Sequence, residues 1–338
     1  MTSELQSRIS QIRKSAMENN FKSNELLSLT RDCISQRADK KSLHEILDIA
    51  HLSTVSKHIH KTKQTDIWFN YLLEIIKLSR FNVGYLLKQR AKVYKDKIAF
   101  HTIKKGNLYN VSYKSLWEKV IEIGKGLSLF VNNGTLPTLG LLTHNNLNGA
   151  LVDLACLSFG FKVVPIPLNS TPDHVSYIIN HSEISHLFIC GEIGERIWSE
   201  IKNSHNIVDI NLSETNTTSN CAVNWNTFIS NSDTVQDFNV DNLLNKVDIY
   251  ALQTIMYTSG TTANPKGITF DQMNIISKRF ARALALPDFN SQDIFLAYLP
   301  LFHTFGRYFE MLGSLFWGSS YCFAESPAFS SLLKDFQI

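Results

Sequence analysis

Residues 257–267 read Tyr-Thr-Ser-Gly-Thr-Thr-Ala-Asn-Pro-Lys-Gly, so four serine and threonine hydroxyls, two glycines and one lysine fall within eleven residues. Glycine lets backbone N–H groups approach the oxygens of a ligand, while the hydroxyls and the ammonium supply further hydrogen-bond donors. This composition predicts a loop that wraps a polyphosphate. It is not the common P-loop, because G-x-x-x-x-G-K-[ST] has glycine before its lysine, whereas Pro265 precedes Lys266 and Gly267 follows it.

Two short apolar runs flank this loop and are predicted to be the strands that hold it. One lies upstream at 252–256 and the other downstream at 268–270. From about Val83 onward, apolar strand patterns alternate with helical ones, which indicates an α/β fold with layered, largely parallel sheets. The predicted elements are hairpin strands at 97–102 and 108–112, strands near 139–142, 163–166 and 186–190, and helices near 116–127, near 147–159 and from Thr171.

Residues 1–80 differ from the rest and are predicted to form an α-helical extension. Their apolar residues recur at helical spacing, and Ser42 with Glu45 forms a predicted capping box at a helix start. The His- and Lys-rich stretch 57–63 is interpreted as an exposed loop, with an anion-binding turn as the alternative. Residues 212–245 are rich in Ser, Thr and Asn and are predicted to form a surface excursion.

Size and composition describe an ordinary globular protein of 338 residues, with room for two units that we place at 1–80 and 83–338. The five scattered cysteines lack metal-ligand spacing and predict reduced thiols in a cytoplasmic protein. No stretch qualifies as a transmembrane segment, and no nucleic-acid partner is expected. Residues 1–100 carry 18 Lys and Arg against 10 Asp and Glu. This excess fits peripheral contact with an anionic membrane or an acidic partner, or simply a set of solvated helix faces.

The loop also resembles the signature of the adenylate-forming enzymes, the family of acyl-CoA synthetases, luciferases and peptide-synthetase adenylation domains. A second block at 298–306 is similar to the downstream motif of that family, which carries a histidine. Residues 307–310 and 321–326 are most similar to the long-chain fatty acyl-CoA synthetases. The resemblance covers about residues 83–338 and implies the layered α/β N-terminal domain of that family.

The resemblance implies that ATP activates a carboxylate, here a fatty acid, as an acyl-adenylate that is then transferred to coenzyme A. ATP, Mg²⁺ and coenzyme A are the implied cofactors. The implied catalytic residues are His303, beside the acyl carboxylate, and Lys266, a mobile charge suited to the departing pyrophosphate. The Thr258 hydroxyl is the implied contact to Mg²⁺. The implied nucleotide-binding residues are Thr258, Ser259, Gly260, Thr261, Thr262, Lys266 and Gly267.

Other residues near these blocks have plainer interpretations. His144 follows a predicted strand end, where ligands bind in open α/β sheets, but a simple polar turn is the preferred interpretation. Glu310 is expected to form a salt bridge with Arg307 on the same helix. Six aromatic residues are interpreted either as the lining of an acyl tunnel or as core, namely Phe302, Phe305, Tyr308, Phe309, Phe316 and Trp317.

The chain departs from the family pattern in two places. Ala263 stands where the family usually has a third glycine, and a Cβ at a position of positive φ costs about 1 kcal/mol or more, so weaker phosphate binding is expected. The later motifs of the family, including its small C-terminal domain, are not found before Ile338. We therefore expect a truncated or split front portion that is inactive by itself, or one completed by a separate chain. The alternative is a noncatalytic module that binds nucleotide, an acyl chain or a protein.

Overall fold

The computed structural model describes residues 3–18, 20–214, 221–258, 264–325 and 329–335. The chain begins with helices joined by short turns, as the apolar spacing predicts. Their inner faces bury side chains such as Ile46, Ile59 and Trp68 in a shared core. These helices are α1 (Ser3–Met17), α2 (Ser23–Ser35), α3 (Lys40–Ala50), α4 (Ser53–Lys61), α5 (Thr65–Ser79) and α6 (Val83–Val93).

Two local predictions for this region are wrong. The N-cap of α3 is Asp39, whose Oδ1 accepts the backbone N–H of Ser42 at 2.9 Å, so Ser42 lies in the first turn instead of capping it. The stretch 57–63 is not a loop, because α4 continues through Lys61 and buries Ile59. In both places the burial of an apolar helix face extends the helix into polar sequence.

Strands and helices alternate after α6, which confirms the predicted α/β class. The strands are β1 (Ile98–Lys104), β2 (Asn107–Ser112), β3 (Thr138–Thr143), β4 (Lys162–Pro165), β5 (Ile184–Cys190), β6 (Val208–Asn211), β7 (Val223–Asn224), β8 (Leu252–Thr258), β9 (Lys266–Asp271), β10 (Ile294–Ala297) and β11 (Ser320–Phe323). The further helices are α7 (Tyr113–Ser128), α8 (Leu147–Phe159), α9 (Pro172–His181), α10 (Glu192–Ile201), α11 (Trp225–Ser232), α12 (Val240–Lys246), α13 (Gln272–Ala285), α14 (Leu312–Trp317) and α15 (Phe329–Asp335). A 3₁₀ turn spans Lys202–Ser204 and a π-helix spans Phe305–Met311. Within the described parts of the chain, none of the helices is long and apolar enough to cross a membrane.

Two sheets organise the layers. The larger sheet has the strand order β7-β6-β5-β3-β4-β8-β9, and its neighbours are parallel except for the antiparallel pair β8–β9. The smaller sheet has the order β10-β11-β1-β2, in which β1 and β2 form the predicted hairpin. Since parallel strands point the same way, the loops that follow β3, β5 and β6 gather at one edge of the larger sheet. That edge is where open α/β sheets bind ligands.

Within the predicted surface excursion 212–245, the described residues 221–245 are not an excursion, because they contribute α11 and α12 to the core. Trp225 and Phe228 on α11 are buried, and the Phe228 ring lies so close to α7 that a Cβ on Gly126 would be 2.8 Å from it. Leu244 on α12 is fully buried as well. A few well-placed apolar residues are therefore enough to anchor a segment whose composition is polar.

A buried ionic cluster joins the N-terminal helices to later elements. The carboxylate of Asp48 on α3 forms ion pairs with Nη1 of Arg13 at 2.8 Å and with Nη1 of Arg90 at 2.9 Å. Arg90 is completely buried, and its Nε donates to the backbone oxygen of Phe316 at 2.9 Å. One carboxylate thus connects α1, α3 and α6 and, through Arg90, the helix α14.

We predict that Asp48→Ala destabilises the protein strongly, because it leaves the buried Arg90 guanidinium without its carboxylate. Breaking a buried pair in this way costs about 3–5 kcal/mol. The measurement is the free energy of unfolding in urea. Lys41→Ala, on the exposed side of the same helix, is the matched control and should change that free energy by about 0.5 kcal/mol or less. Equal effects of the two substitutions would contradict the role given to Asp48.

Candidate functional site

The predicted phosphate-binding loop connects β8 to β9 at the loop end of an antiparallel hairpin. Thr258 and Lys266 face each other in register at this end, and the Thr258 hydroxyl lies 3.5 Å from the backbone oxygen of Lys266. Both side chains are exposed, and Lys266 makes no ion pair with any described carboxylate. The Thr258 hydroxyl and the unpaired Lys266 ammonium are therefore both accessible at this end of the hairpin, which we call the hairpin mouth. The other loop candidates lie outside the described residues, namely Ser259, Gly260, Thr261 and Thr262, as does Ala263.

The residue pair next to the hairpin mouth, Tyr257 and Gly267, is fixed by close contacts. The Tyr257 hydroxyl lies 2.6 Å from Nδ1 of His181 and 2.6 Å from Oγ of Ser182, both at the end of α9. Gly267 pairs with Tyr257, and a Cβ on it would lie 2.8 Å from the Ile255 side chain and 3.2 Å from the Tyr257 ring. Gly267 is thus required by close packing across the two strands, a reason that the sequence pattern did not reveal.

His303 lies in an exposed turn between β10 and the π-helix. Its backbone N–H donates to the Pro300 oxygen at 3.0 Å, and its ring Nδ1 accepts the backbone N–H of Phe305 at 3.3 Å. Because Nδ1 is an acceptor in this arrangement, the neutral ring carries its proton on Nε2. The ring therefore has one N–H available for a ligand oxygen.

A buried ion pair connects the His303 turn to the hairpin. Arg307 donates to both oxygens of Asp153 on α8, from Nε at 2.8 Å and from Nη2 at 2.5 Å. Its Nη1 donates to Oγ1 of Thr254 at 2.8 Å, and Thr254 lies on β8, four residues before Thr258. Burial is the largest single influence on the pKa of Arg307 and lowers it, but the charge and hydrogen bonds of Asp153, together with Tyr308 and Cys156, raise the pKa overall. Arg307 is therefore a permanent cation that fixes the π-helix to both α8 and β8.

The predicted salt bridge between Glu310 and Arg307 is wrong, because Arg307 is fully engaged by Asp153. Glu310 instead points into the interior, where it is 6% exposed and its Oε2 has no hydrogen-bond partner. Burial raises the pKa of the Glu310 carboxyl to about 7. The buried Tyr321 hydroxyl on β11 also lacks a partner, and its pKa is raised by burial and, to a smaller extent, by the charge of Glu310. The π-helix thus places in the core a carboxyl group, that of Glu310, with one oxygen that has no hydrogen-bond partner.

The aromatic residues considered for an acyl tunnel lie in three different surroundings. Phe309 packs against Phe305, with ring centroids 4.7 Å apart, and against Trp317 at 6.3 Å, together with two phenylalanines outside the predicted set. Tyr308 packs instead on Phe270 of β9, with ring centroids 5.1 Å apart. Phe302 lines a small cavity of about 20 Å³ beside Asp153. Most of these residues therefore pack against one another, and whether they also guide an acyl chain stays a prediction.

His144 occupies the loop after β3, at the ligand-binding edge of the sheet. It lines a cavity of about 410 Å³, and a Cβ on Gly191 would lie 2.6 Å from its Nδ1. The next residue, Asn145, was not singled out by the sequence, although its side-chain amide bonds to the segment that precedes His303. The signal available in the sequence was a pair of asparagines directly after an apolar strand. A larger cavity of about 610 Å³ lies among α1, α3, α6 and α12 and is lined by none of the predicted site residues.

Metal binding by the protein alone is not supported by the described residues, among which no group of three or more His, Cys, Asp or Glu could hold an ion. Thr258 offers one exposed hydroxyl oxygen. Magnesium prefers six oxygen ligands and commonly takes several of them from substrate phosphates and water. The donor set at the hairpin therefore fits a metal that arrives with a polyphosphate.

We predict that Glu310→Gln stabilises the protein at neutral and higher pH. The unfolded chain releases this proton near the ordinary value of 4.5, whereas the folded chain holds it until about pH 7, so the free energy of unfolding falls as the pH rises between these values. Relative to the parent, the free energy of unfolding of the variant should be higher by about 1–3 kcal/mol above pH 7 and unchanged below pH 4.5. Urea unfolding across this pH range measures the difference, with exposed Glu118→Gln as the control. A gain that does not depend on pH would contradict the assignment.

Comparison with known proteins identifies the family. The sequence model of the family described as "AMP-binding enzyme" matches residues 87–337. "Fatty acyl-CoA synthetase A" of Dictyostelium discoideum is 30% identical over 217 residues, which are 60% of this chain and 31% of that protein. "Long chain acyl-CoA synthetase 7, peroxisomal" of Arabidopsis thaliana is 28% identical over 221 residues, 64% of this chain and 31% of that protein.

The fold is shared with solved structures as well. The o-succinylbenzoate coenzyme A synthetase of Bacillus subtilis, in complex with ATP and magnesium ion, superposes with a TM-score of 0.54 at 19% identity, over 75% of this chain and 60% of that chain. The present chain spans less than a third of the length of the two curated relatives. Because the family match extends over most of the chain and includes both the hairpin and the His303 turn, the chain belongs to the family of AMP-binding enzymes.

Proposed function

We propose that this chain supplies the phosphate-binding and carboxylate-binding side of an enzyme that activates a fatty acid with ATP. The observation that carries the proposal is the hairpin mouth, where Thr258 and Lys266 stand exposed and in register. Through Thr254 and Arg307, the same hairpin is joined to the turn that bears His303. Side chains that could bind a polyphosphate and an N–H group that could bind a carboxylate are thus connected through the Thr254–Arg307 hydrogen bond.

In the proposed reaction, a carboxylate oxygen forms a bond to the α-phosphorus of ATP, and the bond between that phosphorus and the departing pyrophosphate breaks. Negative charge spreads over the phosphate oxygens during this step, so fixed donors lower its barrier. Lys266 would follow the pyrophosphate, and Ser259, Gly260, Thr261 and Thr262 would add hydroxyl and backbone donors. Mg²⁺, held mainly by the phosphates with the Thr258 hydroxyl as one ligand, would neutralise part of the charge.

His303 would act by orientation and hydrogen bonding. Its proton is placed on Nε2 by the contact between Nδ1 and the backbone of Phe305. The Nε2–H group would donate to an oxygen of the acyl carboxylate or of the adenylate. Since a neutral imidazole suffices for this role, no protonation of His303 is required.

A fatty acyl substrate is favoured over other carboxylates by the relatives, whose names describe fatty acyl-CoA and long-chain acyl-CoA synthetases. The packed aromatic cluster around Phe309 and Trp317 lies directly after the His303 turn and offers an apolar surface. In the second step, the thiol of coenzyme A would attack the acyl carbonyl carbon and AMP would leave.

The proposal is tested by ATP–pyrophosphate exchange with MgATP and the purified chain, combined with a separate completing chain where the purified chain alone shows no exchange. We expect exchange that depends on a long-chain fatty acid and that is weaker with acetate or with an amino acid. Exchange driven best by an amino acid would overturn the substrate class. Binding of MgATP without exchange on any carboxylate would instead favour the noncatalytic alternative.

We predict that Lys266→Met lowers the exchange rate by about 10–100-fold, because an exposed and unpaired cation is removed from the path of the pyrophosphate. Lys278→Met, an exposed lysine on α13, is the matched control and should leave exchange unchanged. Thermal unfolding of both variants should match the parent protein, since both side chains are exposed. Equal exchange rates of the two variants would exclude a role for Lys266.

We predict that His303→Ala lowers exchange by about 10–100-fold and that His303→Gln retains more activity than His303→Ala, because glutamine keeps an N–H donor. The pH profile of exchange provides the second measurement. If His303 acts only as a neutral donor, the Gln variant should keep the same profile as the parent above pH 7. A profile that changes with His303→Gln would indicate proton transfer by His303.

A further inference from the structure

We propose that Asn145, on the loop between β3 and α8, is the positioning residue for His303. This inference rests on the proposed function, in which His303 contacts the acyl carboxylate or the adenylate. Asn145 touches neither His303 nor the hairpin mouth in the described contacts. It acts on the peptide segment from which the His303 turn begins.

The Asn145 amide binds two peptides of that segment at once. Its Nδ2 donates to the Leu299 backbone oxygen at 2.7 Å, and its Oδ1 accepts the Leu301 backbone N–H at 2.9 Å. A flipped amide would place oxygen against oxygen and N–H against N–H, so the network fixes the orientation of the side chain. Asparagine is the short side chain that offers one donor and one acceptor at this spacing.

The two hydrogen bonds of Asn145 also constrain the backbone of His303. Pro300, the residue between the two clamped peptides, accepts the backbone N–H of His303 at 3.0 Å. The segment from Tyr298 to His303 belongs to no helix or strand, so it lacks a ladder of its own to fix its shape. The side chain of Asn145 takes the place of that ladder.

Gly306 closes the segment from the other side. A Cβ on this residue would lie 2.5 Å from the Pro300 oxygen and 2.6 Å from the Leu299 oxygen. Backbone atoms cannot withdraw as a flexible side chain could, so only glycine allows the π-helix to begin this close. The segment is therefore held between the Asn145 amide and the first turn of the π-helix.

The loop that carries Asn145 is itself rigid. The neighbouring Asn146 caps α8 by accepting the Gly149 N–H at 2.8 Å, and its Nδ2 donates to Oγ1 of Thr143 at 2.9 Å. On the same helix, Asp153 binds Arg307 on the far side of His303. One strand–loop–helix unit thus holds the His303 turn both before and after the histidine.

The test compares Asn145→Leu, which removes both hydrogen bonds, with Asn145→Asp, which keeps the acceptor for Leu301 but loses the donor to Leu299. Asn148→Ala is the matched control, because Asn148 lies on the adjoining first turn of α8 and donates to the Leu212 oxygen at 2.9 Å, away from the His303 turn. We expect the maximal rate of ATP–pyrophosphate exchange to fall about 10–100-fold in Asn145→Leu, by less in Asn145→Asp, and not in Asn148→Ala. The KM for ATP should change by less than about twofold, since the hairpin is untouched. Equal loss in Asn145→Leu and Asn148→Ala, or a loss confined to KM, would overturn the proposal.

A second measurement keeps this inference separate from the proposed function. The 11 histidines of the full chain can be labelled with ¹⁵N, and the His303 signal assigned by its absence in His303→Gln. We expect the parent and Asn148→Ala to show the Nε2–H tautomer of His303, and Asn145→Leu to show a tautomer mixture. An unchanged His303 signal in Asn145→Leu would overturn the positioning role even in a protein without exchange activity. Lack of exchange in the parent, combined with the expected change of signal, would instead overturn the proposed function alone.

Discussion

The buried pair of Arg307 and Asp153 is the interaction on which the candidate site depends. Both groups are almost fully buried, at 0% and 3% exposure, and their two parallel hydrogen bonds are the geometry in which a guanidinium and a carboxylate bind best. Neither charge could remain in the core alone, because an unpaired buried charge costs several kcal/mol. The pair therefore forces the π-helix, α8 and, through Thr254, β8 into one arrangement. It determines where the hairpin mouth lies relative to His303.

The same principle joins the N-terminal helices to the layered sheets. Asp48 binds Arg13 from α1 and Arg90 from α6, and Arg90 continues to the backbone of Phe316 just after the π-helix. The apolar core is also continuous, since one cluster of buried residues includes members from Leu5 to Phe323. A boundary drawn between residues 80 and 83 thus separates two sequence patterns, while in the folded protein a shared core and a shared carboxylate cross it.

Local sequence patterns predicted the elements well, but they could not predict which distant residues meet. The β1–β2 hairpin and the strands β8 and β9 follow from apolar runs and turn residues and were predicted to within two residues at most of their ends, whereas the antiparallel pairing of β8 with β9 was not predicted. The partner of Arg307 was predicted wrongly because a spacing rule favours Glu310 three residues away, whereas Asp153 lies 154 residues earlier in the chain. The function of Asn145 was missed for the same reason. Its two contacts reach across more than 150 residues, and a short run of polar side chains after a strand resembles an ordinary turn.

The π-helix also explains why this region needs such strong anchors. Two buried groups on or against this helix are poorly compensated. Glu310 has an unpartnered oxygen, and Arg279 on α13, which packs over Tyr308, leaves Nε and Nη1 without partners. Burial lowers the pKa of Arg279 to about 9 and raises that of Glu310 to about 7, so each is destabilised in its charged form. The two do not neutralise each other, and every such group subtracts from stability. Because these buried polar groups destabilise the π-helix, its conformation must be stabilised by stronger contacts from other elements. The Arg307–Asp153 pair and the Asn145 amide are such contacts, and because both originate from the β3–α8 unit, that unit is the fixed reference against which the His303 turn is built.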